Sequence, residues 1–255
     1  DVANLSASIR AAAGNSSATH GYNAGGHINS ANVATIDKFT FATSSDASAI
    51  GNLTSVNYRP SSSSSATDGY ITGNAASPSG SNVIQRFSFS TDGSATNVGT
   101  LLAAAGYVSG QSSNTHGYSS CAGVPALSNV IQKWSYSSST TAVDHGDLTH
   151  TMSAAAGMSS STHGFTAGGD HAGGQYNIIN KFSFASASNA TDHGDLSVTG
   201  NSAPGGVSST THGYVSGGYP LANARIDKFA YTSNTTASNI GTLTNLARFS
   251  SGAQY

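Results

Sequence analysis

The chain has 255 residues, of which 8% are charged, and its formal net charge is −2 at pH 7. This balance argues against a protein that binds nucleic acid through its phosphates, because such a protein needs a basic surface. Glutamate is absent, Cys121 is the only cysteine, and most large apolar side chains are β-branched or aromatic, which argues against a helical fold and excludes disulfides within the chain. No apolar run approaches the roughly 20 residues of a membrane-spanning helix, so we expect no membrane insertion.

A tetrapeptide of the form Thr-His-Gly-Tyr marks an internal repeat. Its glycines lie 48, 48, 47 and 49 residues apart, at Gly21, Gly69, Gly117, Gly164 and Gly213. A basic residue before an aromatic pair recurs with nearly the same period, at Lys38, Arg86, Lys133, Lys181 and Lys228. A Gly-x-Leu motif, which begins at Gly51 in the first repeat, follows the same period. Three motifs with one spacing indicate five copies of a repeat of about 48 residues.

Each repeat reads as four short strands, here called a to d, separated by clusters of Gly, Asn and Ser. In the first repeat the pattern predicts strands at residues 9–14, 19–24, 33–42 and 47–53. Strand c of the second repeat, residues 82–89, is apolar on both faces, which is typical of a strand buried between two layers. The sequence therefore predicts an all-β fold, a five-bladed β-propeller of four-stranded antiparallel blades.

Small side chains recur in strand a, as in Ala11-Ala12-Ala13-Gly14 and in the serine run at residues 61–65. In a propeller the innermost strands crowd around the axis, so we favour a steric reason for these small residues. The alternative is that they reflect the composition of the whole chain, in which Ala, Ser and Gly are abundant.

The two ends of the chain carry copies of one segment. Residues 2–17 align with residues 50–65 and also with residues 240–255. We expect one copy to complete the blade begun at the other end and so to close the ring, and the surplus copy to lead into neighbouring polypeptide. The surplus copy and the first residue, Asp1, together predict that residues 1–255 form a single propeller domain within a longer chain.

Several polar residues also recur. The tetrapeptide position holds His20, His116, His163 and His212, with Asp68 in the variant copy. A ring of these side chains resembles a metal or anion site, but zinc needs about four ligands within ~2.0–2.2 Å. We therefore favour hydrogen bonds from each imidazole to a turn carbonyl or to an adjacent blade, and we expect no bound metal and no cofactor.

The charged ends of the basic residues before the aromatic pairs can avoid unpaired burial in two ways. Either the side chain extends to the blade edge, or it pairs with a carboxylate such as Asp144, Asp192 or Asp37. A charged ring that captures a ligand is a third, less favoured interpretation. The segments 144–147 and 192–195 both read Asp-His-Gly-Asp, but the His position is aliphatic in other repeats, so a strand and a turn explain them better than a calcium site.

The loops between strands b and c differ most between repeats, at residues 26–32, 74–81, 119–128, 170–176 and 219–225. Variable loops on a rigid scaffold are where recognition usually resides. If they gather on one face, they form a recognition surface for a glycan or a protein; the alternative is ordinary loop drift. The candidate ligand-binding residues are His27, Cys121, His171, Tyr176, Tyr219 and Arg225.

The repeat resembles the kelch-like arrays of tail-fibre and other virion proteins of marine bacteriophages. The residues that carry the resemblance are the Thr-His-Gly-Tyr and Lys-Phe-x-Phe motifs and the Gly-Gly doublet after strand b, at Gly25-Gly26, Gly168-Gly169 and Gly217-Gly218. The regularly placed tryptophan of kelch blades is missing, since Trp134 is the only one. The resemblance covers nearly the whole chain and implies a location in the virion, with other virion proteins as partners.

The sequence contains no pair of acids typical of a glycosidase, no nucleophile elbow and no phosphate loop, so we expect no enzymatic activity and name no catalytic residue. The expected function is a structural or adhesive module of a phage tail fibre or surface protein, which binds a host-surface glycan or protein through its variable loops. A stand-alone glycan-binding lectin is the alternative, and a propeller enzyme is less favoured. Oligomerisation is left open.

Overall fold

The computed structural model describes residues 4–138, 141–219 and 224–244, and its regular structure there consists of β-strands. The innermost strands, a, are β1 (Ala13–Ser16), β6 (Ser61–Ser64), β10 (Ser109–Ser112), β14 (Ala156–Ser159) and β20 (Gly205–Ser208). The second strands, b, are β2 (His20–Ala24), β7 (Asp68–Thr72), β11 (His116–Ala122), β15 (His163–Ala167) and β21 (His212–Ser216).

The third strands, c, are β4 (Ala31–Thr40), β8 (Ser81–Ser88), β12 (Ser128–Ser135), β18 (Ile178–Ser183) and β22 (Arg225–Ala230). The outermost strands, d, are β5 (Ser48–Asn57), β9 (Thr96–Ala105), β13 (Val143–Met152), β19 (Thr191–Asp195) and β23 (Ser238–Thr242). Three short strands extend b–c loops: β3 (His27–Ile28), β16 (Asp170–His171) and β17 (Gly174–Gln175). Each blade pairs its four main strands antiparallel in chain order, so the predicted five-bladed β-propeller is confirmed.

The bounds of strand a differ from the prediction. Residues 9–14 were expected to form it in the first blade, but the strand is Ala13–Ser16. The reason is the backbone at Ala11, which has a φ of 57° and turns the chain before the extended segment begins. Asn15 and Ser16, which look like turn residues in the sequence, are instead buried in the strand.

The small residues of strand a do have a steric reason. Gly110 faces the carbonyl of Ser62, Gly157 faces that of Gly110, and Gly206 faces that of Gly157, so a Cβ at any of these glycines would clash with the backbone of the preceding blade. The inner strands also share a relay of hydrogen bonds. The backbone N–H of Ser64 donates to Ser112 Oγ at 2.9 Å, and the same contact joins Ser112 to Ser159 and Ser159 to Ser208.

Aromatic rings join neighbouring blades. In four boundaries the strand-b ring stacks on an aromatic residue just after strand c of the next blade, with centroids 4.5–4.7 Å apart: Tyr22–Phe89, Tyr70–Tyr136, Tyr118–Phe184 and Phe165–Tyr231. A side-chain oxygen of strand c also accepts a backbone N–H from the preceding blade, in the pairs Gln85–Thr54, Gln132–Leu102, Asn180–Thr149 and Asp227–Ser197. Apolar burial and polar contacts thus repeat together from blade to blade.

The boundary between the fifth and first blades is different. Phe41, which corresponds to Phe184, is 55% exposed, and Val207, which corresponds to the fully buried Met158, is 41% exposed. Within the described residues, Phe41 stacks on no ring of the fifth blade. We call the exposed side chains Phe41, Val207 and Ile240 the seam.

The start of the chain contacts the first blade on its seam side. The carbonyl of Asn4 accepts the N–H of Ala47 at 2.8 Å, just as Asn52 of the first blade accepts the N–H of Ala95 in the second. The segment at Asn4 therefore takes the place that a preceding blade's strand d takes elsewhere. In the fifth blade β23 pairs with β22, and the described residues do not test the predicted completion of one blade by both chain ends. The copy at residues 245–255 lies outside them.

Asp37 on the seam side of the first blade is fully buried, yet within the described part of the chain neither carboxylate oxygen has a hydrogen-bond partner. We expect Asp37→Asn to raise the free energy of unfolding by about 1 kcal/mol, because a buried carboxylate without partners costs more than a buried amide. Urea unfolding would measure this. Asp227→Asn is the matched control and should be destabilising, since Asp227 accepts hydrogen bonds from Ser197. Equal stability of Asp37→Asn and the parent chain would contradict the prediction.

Candidate functional site

The b–c loops gather at one end of the propeller axis. Single β-bridges tie the connection that enters strand a to the b–c loop of the same blade, at Arg10–His27, Gly106–Val124, Ser153–Asp170 and Ser202–Tyr219. In the second blade the N–H of Ala75 donates to the carbonyl of Tyr58 at 2.8 Å. We call this end of the molecule the loop face. The sequence-predicted gathering of these loops is therefore present in the structure, as far as the described residues extend.

A cavity of about 120 Å³ opens on the axis among the five inner strands. The residues that enter strand a all have a left-handed backbone, with φ of 51–59°: Ala11, Arg59, Tyr107, Ala154 and Ala203. All five line the cavity. This conformation is unfavourable for residues other than glycine, and here the repeated fold holds it in every blade.

Among the described residues that line the cavity, Arg59 is the one charged side chain. Its guanidinium carbon lies 4.7 Å from the ring centroid of Tyr107 and 5.3 Å from that of Tyr58. A guanidinium over an aromatic face is held by cation–π attraction, which restricts the side chain. The five left-handed residues that line the cavity, here called the rim, are thus three alanines, Tyr107 and Arg59, and the Arg59 guanidinium lies between the rings of Tyr58 and Tyr107.

His27 and Tyr219 lie at this face. The His27 imidazole is within 2.8 Å of Asn32 Oδ1 and 3.0 Å of the Asn29 carbonyl, and its ring meets Tyr58 edge-on at 5.7 Å. Tyr219 is 48% exposed. His27 is therefore tied into its loop and supports the Tyr58 ring, whereas the Tyr219 side chain is open to a ligand.

His171 and Tyr176 form a second aromatic group on the hairpin of the fourth blade. Their ring centroids are 4.2 Å apart, and His150 lies 5.1 Å from Tyr176. The backbone N–H of Gly173 donates to His171 Nδ1 at 3.0 Å, so Nε2 carries the proton of the neutral ring. The structure brings these two predicted residues together.

Cys121 and Arg225 do not lie where the sequence suggested. Cys121 is 2% exposed within β11 rather than in a loop, and burial raises the pKa of its thiol to about 12. A thiol held protonated in this way is not available as a ligand or nucleophile. Arg225 begins β22, where its Nε donates to Ser197 Oγ at 3.0 Å and lies 3.8 Å from Asp227. Its side chain thus joins two blades, and the loop-residue interpretation is wrong for both.

The recurrent histidines lie at the opposite end, where strand b begins. In four blades the histidine Nδ1 is 2.8 Å from Oγ1 of the preceding threonine, as in Thr115–His116. The partner is thus this hydroxyl rather than a turn carbonyl. In the described ranges, no three His, Cys or Asp side chains are placed to share a metal ion.

The basic residues of strand c also have partners other than the predicted acids. Lys38 pairs with Asp92 of the next blade at 2.8 Å, and Arg86 lies 3.9 Å from Asp68. In the last three blades the lysine lies over the strand-b ring, as with Lys181, whose Nζ is 5.9 Å from the Phe165 centroid. The predicted pairing with Asp144, Asp192 or Asp37 does not occur among the described residues.

The two Asp-His-Gly-Asp segments are structural. His145 Nε2 donates to the Ser183 carbonyl at 2.7 Å, and His193 Nε2 donates to that of Ala230 at 2.9 Å. Both rings are buried between blades. Asp144 and Asp192 each accept the N–H of the glycine two residues later, in the irregular part of strand d. The strand-and-turn interpretation therefore describes the observed contacts.

Buried histidines make stability depend on pH. Desolvation lowers the pKa values of His145 and His193, so the folded state binds fewer protons than the unfolded chain, whose histidines titrate near 6.5. This contribution to stability is fully present above about pH 6.5 and is lost as the pH falls from there through the lower pKa values of the folded state. We expect the urea midpoint to fall between pH 7.5 and pH 5.5. The fall should be smaller in the double variant His145→Val, His193→Ile. Valine and isoleucine are found at the same repeat position in other blades, as Val98 and Ile50. An equal fall in both proteins would contradict this explanation.

In comparisons with known proteins, no family model and no curated protein matches the chain. Within the described residues no helix is long and apolar enough to cross a membrane. The class of the protein is therefore defined by its fold, a five-bladed β-propeller with an axial cavity on its loop face.

Sequence reasoning missed Arg59 and Tyr107. A signal was present, because Arg59 is the only charged residue at a repeat position otherwise filled by Ala11, Tyr107, Ala154 and Ala203. The serine run at residues 61–65 was interpreted as the small-residue strand, and Arg59 lies just before it.

Proposed function

We propose that the chain is a non-enzymatic structural and adhesive module of a phage virion, in a tail fibre or surface protein, that binds a host-surface glycan or protein through its loop face. The observation that carries the proposal is the convergence of the most variable segments around the axis, while the contacts between blades repeat almost unchanged. A rigid scaffold with variable loops at one end is the usual arrangement of a recognition module.

The chemistry of the polar groups supports a binding role. The buried Cys121 thiol has a raised pKa, and the imidazoles of His145 and His193 are engaged with backbone carbonyls. At the loop face, by contrast, the Tyr219 side chain is half-exposed, and Arg59 lines the axial cavity. Exposed aromatic and arginine side chains are typical of recognition surfaces.

The proposal is tested by the adsorption of the purified chain to cells of candidate host bacteria and to arrayed surface glycans. We expect saturable binding that falls at least about tenfold in the double variant His171→Ala, Tyr219→Ala, on the scale of two lost contacts at a hot spot. Asn114→Ala, exposed at the opposite end, is the matched control and should bind as the parent does. Binding that depends on Asn114 and not on the loop face would reject the proposal, and five equivalent sites per chain would favour a lectin.

The virion role requires a separate measurement, namely the presence of the chain in purified phage particles. Quantitative mass spectrometry of particles should find it at a fixed copy number per virion, together with the other structural proteins. Its absence from particles that carry their full set of structural proteins would contradict that part of the proposal.

A further inference from the structure

The seam exposes one whole side of the fifth blade. Val207 and Ile240 are exposed, whereas their counterparts in the fourth blade, Met158 and His193, are buried against the blade that follows. Within the described residues, Tyr214 is also the one strand-b ring that stacks on no aromatic residue of another blade. The fifth blade therefore presents the surface that each of the other blades buries against its successor.

The facing side of the first blade lacks a preceding blade in the same way. Phe41 is exposed, whereas its counterparts in the other blades stack on a strand-b ring. Asp37 is fully buried, and in the described part of the chain neither of its carboxylate oxygens is hydrogen-bonded. Its counterparts all accept a backbone N–H from strand d of the preceding blade or from the residue after it: Gln85, Gln132, Asn180 and Asp227. A buried acceptor without a donor is unfavourable, so a specific contact is missing here.

The segment at Asn4 behaves as strand d of a blade other than the fifth. Its carbonyl accepts the Ala47 N–H, a place that strand d of the preceding blade fills at the other boundaries, and Thr242 of the fifth blade does not fill it. The next residue, Leu5, is 36% exposed. The corresponding leucines are 1–4% exposed and pack on strands b and c of their own blades: Leu53, Leu101, Leu148 and Leu196. Among the described residues, the strands b and c that would cover Leu5 are thus missing.

We propose that the seam is the place of a sixth blade, and that it binds a β-hairpin built of strands b and c of this same repeat. The segment at Asn4 provides strand d of that blade. Residues 251–254 align with β1 in the duplicated end segment, so they match its strand a; they lie outside the described residues. The seam is separate from the loop face, and the inference does not depend on the proposed binding of a glycan or protein there.

The contacts that remain open define the hairpin. The aromatic residue after its strand c stacks on Tyr214, and its strand-b ring stacks on Phe41, as at the other four boundaries. With strand c in place, the segment at Asn4 continues as strand d, and the N–H of Ser6 reaches Asp37. A second folded copy has no such hairpin to give, because strand b of every blade is already paired with strands a and c. The occupant is therefore a hairpin outside the five blades.

The first experiment extends the chain after Tyr255 by a copy of residues 18–43. Because Tyr255 aligns with Ser17, the added hairpin continues the repeat in register. We expect one urea transition with a higher midpoint and a steeper dependence on urea, since more surface is exposed on unfolding. The matched control is an extension in which the copied residues carry Tyr22→Ala and Phe41→Ala, and it should leave the midpoint of the parent chain unchanged. Equal midpoints of the two extended chains overturn the inference.

Val207→Asp tests the side of the seam that the fifth blade provides. In the parent chain Val207 is exposed, so the substitution should shift the urea midpoint little. In the extended chain the hairpin covers this position, and the same substitution should lower the midpoint, because a buried carboxylate without a partner is unfavourable. Val143→Asp, at an exposed position away from the seam, is the matched control and should shift both chains equally. Equal shifts of both chains by Val207→Asp reject the site.

A second measurement keeps the test decisive if the extended chain does not fold. A fluorescent peptide of residues 18–43 is added to the parent chain, and its anisotropy is followed. We expect saturable binding that is at least about tenfold weaker with Val207→Asp, together with slower hydrogen exchange at the Ser6 N–H. Binding that does not depend on Val207 overturns the inference, and so does the absence of both peptide binding and a higher midpoint. A dimer of the parent chain that Val207→Asp dissociates would show a second copy at the seam, which also overturns it.

Discussion

Phe184→Ala is expected to lower the free energy of unfolding by about 3–5 kcal/mol, the range found when a buried phenylalanine is truncated. Phe184 is 9% exposed and stacks on Tyr118 of the preceding blade with centroids 4.7 Å apart. Its removal leaves a cavity between two blades and deprives Tyr118 of the stacked ring. Urea unfolding followed by far-ultraviolet circular dichroism would measure the loss as a lower midpoint.

Phe41→Ala is the matched control, because Phe41 occupies the same repeat position at the seam. It is 55% exposed, so its truncation should cost about 1 kcal/mol or less. The comparison separates the chemistry of the side chain from its surroundings, since the same substitution is made at the same position of two different repeats. Equal losses for the two variants would mean that the seam is packed in solution like the other four boundaries.

The repeat made the architecture predictable. The spacing of the Thr-His-Gly-Tyr and Lys-Phe motifs indicated five blades, and each blade has the expected strand order. The register explains why these two motifs occur together: Gly21 lies directly opposite Phe39, and the corresponding residues are paired in every blade. The joint recurrence of the two motifs along the chain therefore reflects the pairing of the glycine in strand b with the aromatic residue in strand c.

The errors concern features that depend on neighbouring blades. Asn15 was expected in a turn, yet its side chain donates to the Ser63 carbonyl of the next blade at 2.7 Å. The serine relay between inner strands likewise joins residues about 48 positions apart. Local propensity favours turns for Asn and Ser, and contacts between blades override it.

The cavity could not be predicted because its rim depends on an unusual backbone. Glycine and asparagine are the residues that commonly indicate a left-handed conformation, and the rim holds alanine, arginine and tyrosine instead. His171 and Tyr176, by contrast, lie in a variable loop, which is a signal that the sequence does carry.

Gly164→Ala is expected to lower the free energy of unfolding by about 1–3 kcal/mol, as overpacking of a filled core does. The ring of Phe182 lies directly over Gly164 on the neighbouring strand, and an added Cβ would overlap the ring. The ring cannot withdraw freely, because Phe182 also packs against Tyr118 and His145 of the preceding blade. The strain would therefore reach the boundary between the third and fourth blades.

Gly93→Ala is the control for this variant, since nothing lies within 4 Å of a Cβ built there. Its urea midpoint should match that of the parent chain. The variant Gly164→Ala, Phe182→Leu adds a further comparison: the smaller side chain relieves the overlap, so the double variant should lose less than the sum of the two single losses. Additive losses, or a Gly164→Ala variant as stable as Gly93→Ala, would contradict the view that the glycine of each Thr-His-Gly motif is required by the aromatic ring opposite it.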